Sequence, residues 1–233
     1  MAIIEFRNVS KKYLMGEVTI NALHDASFTI NKGELVCILG PSGAGKTTCL
    51  NILGGMDSPT SGDVIVDGVN ISCLKGKNII KYRRKDIGFV FQFYNLVSNL
   101  TAIENVELAV QLTKDHLEPK EALKLVGLEN RLNNFPSQLS GGEQQRVAVA
   151  RAIAKHPKVL LCDEPTGALD YKTGKQILAL LQDCARKNNM TVVIVTHNSA
   201  IKDMADKVIH FKNGTVTKIE INKNPTPIEM IEW

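Results

Sequence analysis

The sequence lacks any apolar run that approaches the roughly 20 residues of a membrane-spanning helix. Its longest candidates, residues 159–162 and 191–195, have the length of single strands. A secretory leader is also missing, because the amino-terminal residues 3–7 have the pattern of a short strand. These absences predict a cytoplasmic protein that reaches a membrane only through a partner.

The cysteines and histidines are too scattered along the sequence to form a disulfide framework or a metal site. The five cysteines are odd in number and lack the paired spacing of metal ligands, and four of the five histidines show no partner pattern. The cysteines are therefore expected to behave as small apolar residues in a reducing compartment.

A strong excess of charge is absent as well, since 28 Lys and Arg against 24 Asp and Glu leave a formal net charge of +4. No basic stripe with interleaved aromatic residues is present, so no nucleic-acid partner is predicted. One basic stretch, residues 75–85, fits a solvated face, which we favour, or contact with anionic lipid head groups. The 233 residues suffice for one large domain or a domain with a subdomain.

Against these absences, one glycine-rich segment matches the pattern G-x-x-x-x-G-K-[ST] in full. An apolar strand pattern, residues 34–39, precedes it, and a short helical pattern follows it up to two glycines at 54 and 55. Successive backbone amides in such a loop bind a polyphosphate, while Lys46 reaches the β- and γ-phosphates and Thr47 is placed to ligate Mg²⁺. The segment comprises Gly40, Pro41, Ser42, Gly43, Ala44, Gly45, Lys46, Thr47 and Thr48.

Polar residues also follow three apolar strand patterns. Asp163 and Glu164 come directly after residues 158–162, at the strand end where an α/β sheet places its ligand site. We expect Asp163 to hold Mg²⁺ and Glu164 to polarise an attacking water. His197 and Gln92 also follow strands, but each is a weak signal alone, and Gln92 matters only if it lies opposite the phosphates.

A second anion site is predicted at residues 139–146. Ser140 and Glu143 have capping-box spacing, so a helix is expected to begin here with Ser140 as its N-cap. Gly141 and Gly142 leave the amides of the first turn bare, which suits a second nucleotide. A well-capped amphipathic helix without any ligand is the plainer alternative.

The remaining chain carries weaker signals. Residues 1–35 and 62–71 have strand patterns with a hairpin signal at Asp67 and Gly68, and residues 101–134 have helical patterns. Tyr13 is expected to be exposed, where it either stacks on a purine or is an ordinary surface residue. Residues 222–233 lack periodicity and predict a peripheral tail.

In this order the motifs resemble those of the nucleotide-binding subunits of ABC (ATP-binding cassette) transporters, over about residues 3–221. Residues 40–48 look like Walker A, Gln92 like the Q-loop glutamine, and Asp163 with Glu164 like the end of Walker B. Residues 139–144 are similar to the signature LSGGQ, residues 168–170 to the D-loop and His197 to the switch histidine. Tyr13 matches the adenine-stacking aromatic residue. Glu143 stands where the signature has glutamine, and we expect it to point back to the Ser140 amide.

The resemblance implies an α/β fold: a P-loop NTPase, RecA-like core with an antiparallel β subdomain and an inserted α-helical subdomain. The whole chain, 1–233, is then a single ABC ATPase domain. Its core and β subdomain comprise about 1–92 and 156–221, its helical subdomain 93–155 and its C-terminal tail 222–233.

The resemblance also implies the cofactors ATP and Mg²⁺ and a partner copy of the chain. Two copies sandwich two ATP molecules, each between loop 40–48 of one copy and the signature of the other. Glu164 acts as general base while His197 and Gln92 organise the γ-phosphate and water. The implied nucleotide contacts beyond loop 40–48 are Tyr13, Ser140, Gly141, Gly142, Glu143 and Asp170, and the implied metal ligands are Thr47, Gln92 and Asp163.

Residues 55–62 and 100–106 resemble the lipoprotein-release and macrolide-export group (LolD/MacB-like), whose members pair with FtsX-type permeases. This implies an exporter or mechanotransmission complex for an antimicrobial peptide, a macrolide or a lipoprotein, peripheral on the inner face of the membrane. The aromatic segment 93–96 is expected to receive the permease. An amino-acid importer ATPase is the nearest alternative, followed by a soluble, non-transport ABC ATPase; a small-molecule P-loop kinase would not need residues 139–144.

Overall fold

The computed structural model describes residues 1–111, 113 and 115–232. The strands are β1 (Ala2–Met15), β2 (Val18–Asn31), β3 (Leu35–Leu39), β4 (Ser61–Val66), β5 (Val69–Asn70), β6 (Ile87–Val90), β7 (Val159–Asp163), β8 (Thr191–Thr196), β9 (Lys207–Lys212) and β10 (Thr215–Ile221). The α-helices are α1 (Lys46–Leu53), α2 (Lys77–Lys85), α3 (Ala102–Val110), α4 (Pro119–Leu125), α5 (Gly141–Ile153) and α6 (Tyr171–Asn188).

A six-stranded sheet in the order β10-β9-β3-β8-β7-β6 forms the centre of the described chain. Its strands are parallel except for β10, which pairs antiparallel with β9. Strands β3 and β8 are buried along their whole length, since both faces of a parallel sheet are covered. Within β3, Leu35, Cys37 and Leu39 face a core built with helices α3–α6, and Val36 and Ile38 face the other core.

A four-stranded antiparallel sheet, in the order β2-β1-β4-β5, covers that second face. The β4–β5 turn is at Asp67 and Gly68, both with positive φ as a tight hairpin requires, which confirms the predicted hairpin. Phe6 stacks on Phe28 with ring centroids 4.4 Å apart, and Phe28 meets Phe211 edge-on at 6.3 Å. These aromatic contacts join the two sheets, and the predicted α/β class with an antiparallel β layer is confirmed.

Helices α3, α4 and α5 pack on one another, with α5 also against β6. The Thr101 hydroxyl and Glu104 form a reciprocal capping box that begins α3, and Pro119 occupies the first turn of α4. This group carries the predicted second anion segment at the start of α5. Its placement brings that segment to the surface rather than into the sheet.

The carboxyl-terminal residues are not a peripheral tail, so that prediction was wrong. Ile228 is fully buried and Ile231 nearly so, both within the core that α6 helps to form. The Gln182 side chain donates to Thr226 O at 3.1 Å and accepts from Ile228 N at 3.1 Å. Two isolated isoleucines have no periodicity, so sequence pattern alone could not reveal this docking.

No helix within the described ranges is long and apolar enough to cross a membrane.

Candidate active site

The glycine-rich loop 40–48 lies between the carboxyl end of β3 and the start of α1, as predicted. Gly43 and Gly45 have φ of +74° and +95°, a region that favours glycine. A side chain at Gly40 would collide with the carbonyl of Phe211, which makes glycine necessary for close packing there. Lys46 Nζ donates to Gly40 O at 2.8 Å and to Pro41 O at 3.0 Å, so its ammonium is held inside the loop.

Helix α1 leaves its amino terminus open to an anion. Its N-cap is Gly45, which provides no capping side chain, and no acidic residue occupies the first turn. The unpaired amides and the positive end of the helix dipole therefore meet whatever occupies the loop. The buried Lys46 adds a full positive charge at the same point.

A carboxylate and a hydroxyl converge beside this loop. Asp163 ends β7, and its Oδ1 accepts from Thr47 Oγ1 at 3.4 Å. Burial raises the pKa of the Asp163 carboxyl, with the neighbouring Glu164 charge adding to the rise and Thr47 and Lys46 opposing it. A half-buried carboxylate with a raised pKa lacks a full complement of positive partners, so these oxygens suit a divalent cation.

Glu164 and His197 lie together at the ends of the neighbouring parallel strands β7 and β8. Glu164 Oε1 accepts from His197 N at 3.0 Å and contacts His197 Nδ1 at 2.8 Å, while Oε2 accepts from Thr196 Oγ1 at 2.9 Å. Glu164 has a φ of +45°, an uncommon conformation for a residue with a side chain. This turn directs the carboxylate across the strand ends toward the histidine.

The predicted phosphate-site residues other than Gly40 and Pro41 line one cavity of about 460 Å³. Gln92 also lines this cavity and therefore lies at the phosphate site. The structure adds three residues of β2 that the sequence did not point to, because a strand on the other sheet carries no local signal of this contact. The lining is Ile20, Asn21, Ala22, Ser42, Gly43, Ala44, Gly45, Lys46, Thr47, Thr48, Gln92, Asp163, Glu164 and His197.

Tyr13 is half-buried rather than exposed, which corrects the prediction. Its hydroxyl donates to Asp57 Oδ2 at 2.7 Å, and Lys11 Nζ lies 4.8 Å from the ring centroid while pairing with Asp57 Oδ1 at 2.5 Å. Burial and the adjacent Asp57 carboxylate raise the pKa of Tyr13, although the Thr48 hydroxyl opposes the rise. Lys11 and Asp57 thus hold the ring beside Thr48 of the loop.

The helix start and capping box predicted at Ser140 and Glu143 are present, outside the phosphate cavity. Ser140 caps α5, Glu143 N donates to its hydroxyl at 3.3 Å, and Ser140 N donates to Glu143 Oε2 at 2.8 Å. Arg131 Nε also donates to Glu143 Oε1 at 3.1 Å. Since the Ser140 amide and then Arg131 lower the pKa of Glu143, its carboxylate is tied back to the helix start. Asp170 similarly caps α6, accepting from Thr173 N at 3.1 Å.

Two residues of α5 that the sequence did not single out link this segment to the site. Gln145 is buried, and its Nε2 donates to Phe91 O at 3.2 Å and to Pro165 O at 2.8 Å, next to Gln92 and Glu164. Arg151 donates to Asn95 O at 2.6 Å and Tyr94 O at 3.0 Å. The sequence feature that could have revealed Gln145 is a glutamine among apolar residues on the inner face of α5.

The fold and this site define a nucleotide-binding cassette of the P-loop type, and the chain belongs to the ABC transporter family. Residues 23–167 match the family model described as ABC transporter. The chain is 46% identical over 226 residues to the ABC transporter ATP-binding protein MJ0796 of Methanocaldococcus jannaschii, covering 93% of this chain and 96% of that protein. A dimeric, post-hydrolysis structure of MJ0796 bound to ADP and Pi superposes with a TM-score of 0.87 at 43% identity, covering 95% and 99%.

Two further relatives belong to the group that the sequence resembles. The chain is 43% identical over 221 residues to the lipoprotein-releasing system ATP-binding protein LolD of Syntrophotalea carbinolica, covering 93% of this chain and 97% of LolD. It is 43% identical over 220 residues to the macrolide export ATP-binding/permease protein MacB of Pectobacterium atrosepticum, covering 92% of this chain but 34% of MacB. The chain is therefore an ABC ATPase, the ATP-binding subunit of a transporter, of the LolD/MacB type.

Proposed function

We propose that two copies of this chain close around two ATP molecules and that hydrolysis drives an export or mechanotransmission permease. One structural observation supports the proposed dimer. The phosphate cavity is lined by loop residues 42–48, Gln92, Asp163, Glu164 and His197, whereas the capped start of α5 lies outside it. Backbone amides at a helix N-terminus attract phosphate, so the start of α5 is complementary to an ATP bound on a second copy. The dimeric MJ0796 structure supports this arrangement.

In this proposal each ATP is held from two sides. Loop 40–48 and the ammonium of Lys46 take the phosphates, and Tyr13, beside Thr48, takes the adenine on the ring face that Lys11 leaves free. The second copy contributes the backbone amides of Ser140, Gly141 and Gly142. Asp170, at the start of α6, lies at the interface between the two copies. Glu143 completes the helix cap without facing the phosphates, because Arg131 and the Ser140 amide hold its carboxylate.

The residues present fit a magnesium ion. Thr47 Oγ1 and Asp163 Oδ1 converge at 3.4 Å, and the Gln92 side chain lines the same cavity. Hydroxyl, carboxylate and amide oxygens are the ligands that Mg²⁺ prefers. Held there with the nucleotide, such an ion would supply positive charge that offsets the phosphate charge during phosphoryl transfer.

Glu164 is the proposed general base. Its carboxylate lines the phosphate cavity and accepts the proton of the attacking water, while His197 orients that carboxylate and reaches the γ-phosphate. Gln92 orients the water from the opposite wall. Release of the γ-phosphate removes a ligand that both copies share, so the dimer opens.

The proposed permease contact is the aromatic segment 93–96, within a helical subdomain of residues 93–155. Phe93 is 72% exposed, a large apolar side chain without a cover in the described chain, and Arg151 fixes the backbone beside it. We propose an FtsX-like permease, supported by the LolD and MacB relatives, which places the subunit on the cytoplasmic face of the membrane. The cargo class is then an antimicrobial peptide, a macrolide or a lipoprotein.

The catalytic proposal is tested with Glu164→Gln, using Glu129→Gln as an exposed control of equal charge change. We expect Glu164→Gln to bind ATP and form an ATP-dependent dimer in size-exclusion chromatography while losing at least about 100-fold in turnover. Control turnover should match the unaltered protein. Full hydrolysis by Glu164→Gln would refute the assigned base, and a monomer with bound ATP would refute the sandwich.

The permease proposal is tested by capturing tagged Glu164→Gln from native membranes with ATP. A permease with few spans and a large extracytoplasmic domain supports the exporter or mechanotransmission assignment. An importer-type permease would replace that assignment with an amino-acid importer and leave the ATPase mechanism standing. Ribosomes or DNA without any membrane protein would contradict a transporter role.

A further inference from the structure

Six basic side chains line a cavity at the sheet edge opposite the phosphate site. This cavity, of about 970 Å³, lies at the amino ends of β6 and β7, whereas the phosphate site lies at the carboxyl ends of β3, β7 and β8. We name it the basic cavity. Its lining is Lys77, Ile80, Lys81, Arg84, Lys85, Asp86, Thr113, Asp115, Lys155, His156 and Lys158.

The charge of the basic cavity is not balanced from within. Its lining holds six Lys or Arg and two Asp, a formal net charge of +4 that equals that of the whole chain. Both acids are already engaged: Asp86 pairs with Lys158 at 2.9 Å and Asp115 with His156 at 3.1 Å. In the part of the chain that the structure describes, the other five cations form no ion pair with an acidic side chain; they are Lys77, Lys81, Arg84, Lys85 and Lys155.

One of these cations is recessed. Lys155 follows α5, and its Nζ donates to Arg83 O at 3.1 Å, where it lies below the exposed row on α2. Burial, with a contribution from the charge of Arg151, lowers the pKa of Lys155 to about 8. A lysine that has lost hydration without gaining a counter-ion is stabilised when an anion enters its cavity.

One residue of the basic cavity, Lys155, follows the helix that contacts the proposed permease segment, so this argument rests partly on the proposed function. Lys155 lies one helical turn beyond Arg151, whose guanidinium holds the carbonyls of Tyr94 and Asn95. The surface that meets a membrane permease is also close to the lipid head groups. Ile80, 46% exposed between Lys77 and Lys81, adds an apolar side chain to the rim.

We propose that the basic cavity binds the phosphate of an anionic phospholipid head group. Five of its six basic residues are lysines, which bind phosphate as flexible point charges without a fixed bidentate geometry, and this suits the mobile phosphate of a lipid head group. Clusters of four to eight Lys or Arg beside a membrane bind anionic lipid in this way. The subunit would thus hold the membrane surface directly, in addition to its permease.

The test measures co-sedimentation of the isolated subunit, without ATP, with vesicles of phosphatidylcholine alone or with about one third phosphatidylglycerol. Lys81→Glu/Arg84→Glu reverses two exposed cations of the basic cavity. Lys212→Glu/Lys223→Glu is the matched control, since it changes the net charge equally at two exposed lysines elsewhere. Thermal unfolding and ATP binding of both variants should match the unaltered protein.

We expect binding only to the vesicles with phosphatidylglycerol. The cavity variant should lose about 30-fold in partitioning, about 1 kcal/mol for each of two cations, and the control much less. Lys155→Gln should also weaken binding, because the recessed cation is part of the site. Equal losses in the two double variants, equal binding to both vesicle types, or unchanged binding by Lys155→Gln would overturn the proposal.

A further arm distinguishes lipid from soluble phosphate. Inorganic phosphate, with chloride at matched ionic strength as reference, is titrated without vesicles into the unaltered protein and the cavity variant. Saturable phosphate binding that the cavity variant loses, without binding of the unaltered protein to vesicles, would assign the cavity to a soluble anion instead; vesicle binding that the cavity variant loses supports a lipid head group. Because vesicle binding is measured without ATP and turnover without lipid, failure of this proposal and failure of the proposed ATPase mechanism are separate results.

Discussion

Glu164 Oε1 and His197 Nδ1 lie 2.8 Å apart, each at the end of its own parallel strand. The same carboxylate oxygen accepts from the His197 amide, and the other accepts from Thr196. Glu164 is thereby held by three groups of one neighbouring strand end. A substitution of His197 is therefore expected to alter the direction of the Glu164 carboxylate more than the binding of phosphate.

Replacing the histidine tests this relationship. His197→Ala is expected to lower turnover by about 100-fold, because a positioned general base contributes a factor of this order or more. ATP affinity should change little, since loop 40–48 and Lys46 supply most of the phosphate contacts. Steady-state hydrolysis and nucleotide titration check the two quantities. His24→Ala, at an exposed histidine, is the control; a parallel loss of ATP affinity in His197→Ala would contradict the positioning role.

Gln145 joins three parts of the chain, and its loss should show in stability. In Gln145→Leu the carbonyls of Phe91 and Pro165 lose their donor inside the protein. We expect the free energy of unfolding to fall by about 2 kcal/mol, measured by denaturant titration, and hydrolysis to fall with it. Gln176→Leu, exposed on α6, should stay within about 0.5 kcal/mol of the unaltered protein. A stable but inactive Gln145→Leu would limit its role to communication between segments.

The Asp57 carboxylate predicts an acid-dependent stability. Burial raises its pKa, but hydrogen bonds from Lys11, Tyr13 and the Ser58 amide outweigh burial and lower the pKa below its ordinary value. A lowered pKa of an acid stabilises the fold above the unfolded value of about 3.9, and this stabilisation disappears as the pH falls through the folded value. Asp57→Asn should therefore be less stable by about 1 kcal/mol at neutral pH, with the difference shrinking below about pH 4.

Denaturation followed across that pH range measures the Asp57 effect. Asp63→Asn, which alters an exposed carboxylate that accepts from Asn70, serves as its control. A difference between Asp57→Asn and the unaltered protein that stays constant down to the lowest pH would rule out the linkage. We also expect Asp57→Asn to weaken ATP binding more than turnover, because Asp57 holds the Tyr13 ring.

The docked carboxyl-terminal segment gives a packing prediction. Ile228→Ala removes a fully buried side chain from the core around α6 and should lower the free energy of unfolding by about 2–4 kcal/mol. Met230→Ala, two residues away and 77% exposed, should have little effect. Thermal unfolding of the two variants compares them directly. Equal melting temperatures would mean that the segment does not pack on α6 in solution.

Much of the site follows from sequence because its chemistry is local. The order strand, glycine-rich loop, helix requires only neighbouring residues, and the capping box at Ser140 spans a single helical turn. Residues at strand ends are equally predictable. One apolar run stops at Asp163 and another at His197, and the ends of parallel strands lie at one edge of the sheet. Motif and fold class were therefore predictable.

Contacts between distant segments were not. Gln145 donates to a backbone carbonyl 54 residues away and Arg151 to one 56 residues away. Three residues of β2 line the phosphate cavity, and Ile228 contacts a helix residue 46 positions earlier. None of these pairings leaves a period or spacing in the chain, because each depends on which elements the two sheets bring side by side. The sequence by itself determined the phosphate-loop motif and the helix cap at Ser140. Only the tertiary structure decided how far apart these two segments lie, how Lys11 and Asp57 hold Tyr13, and which cations without an acidic partner come together at the opposite sheet edge. These features depend on burial and charge balance, which are properties of packed surfaces.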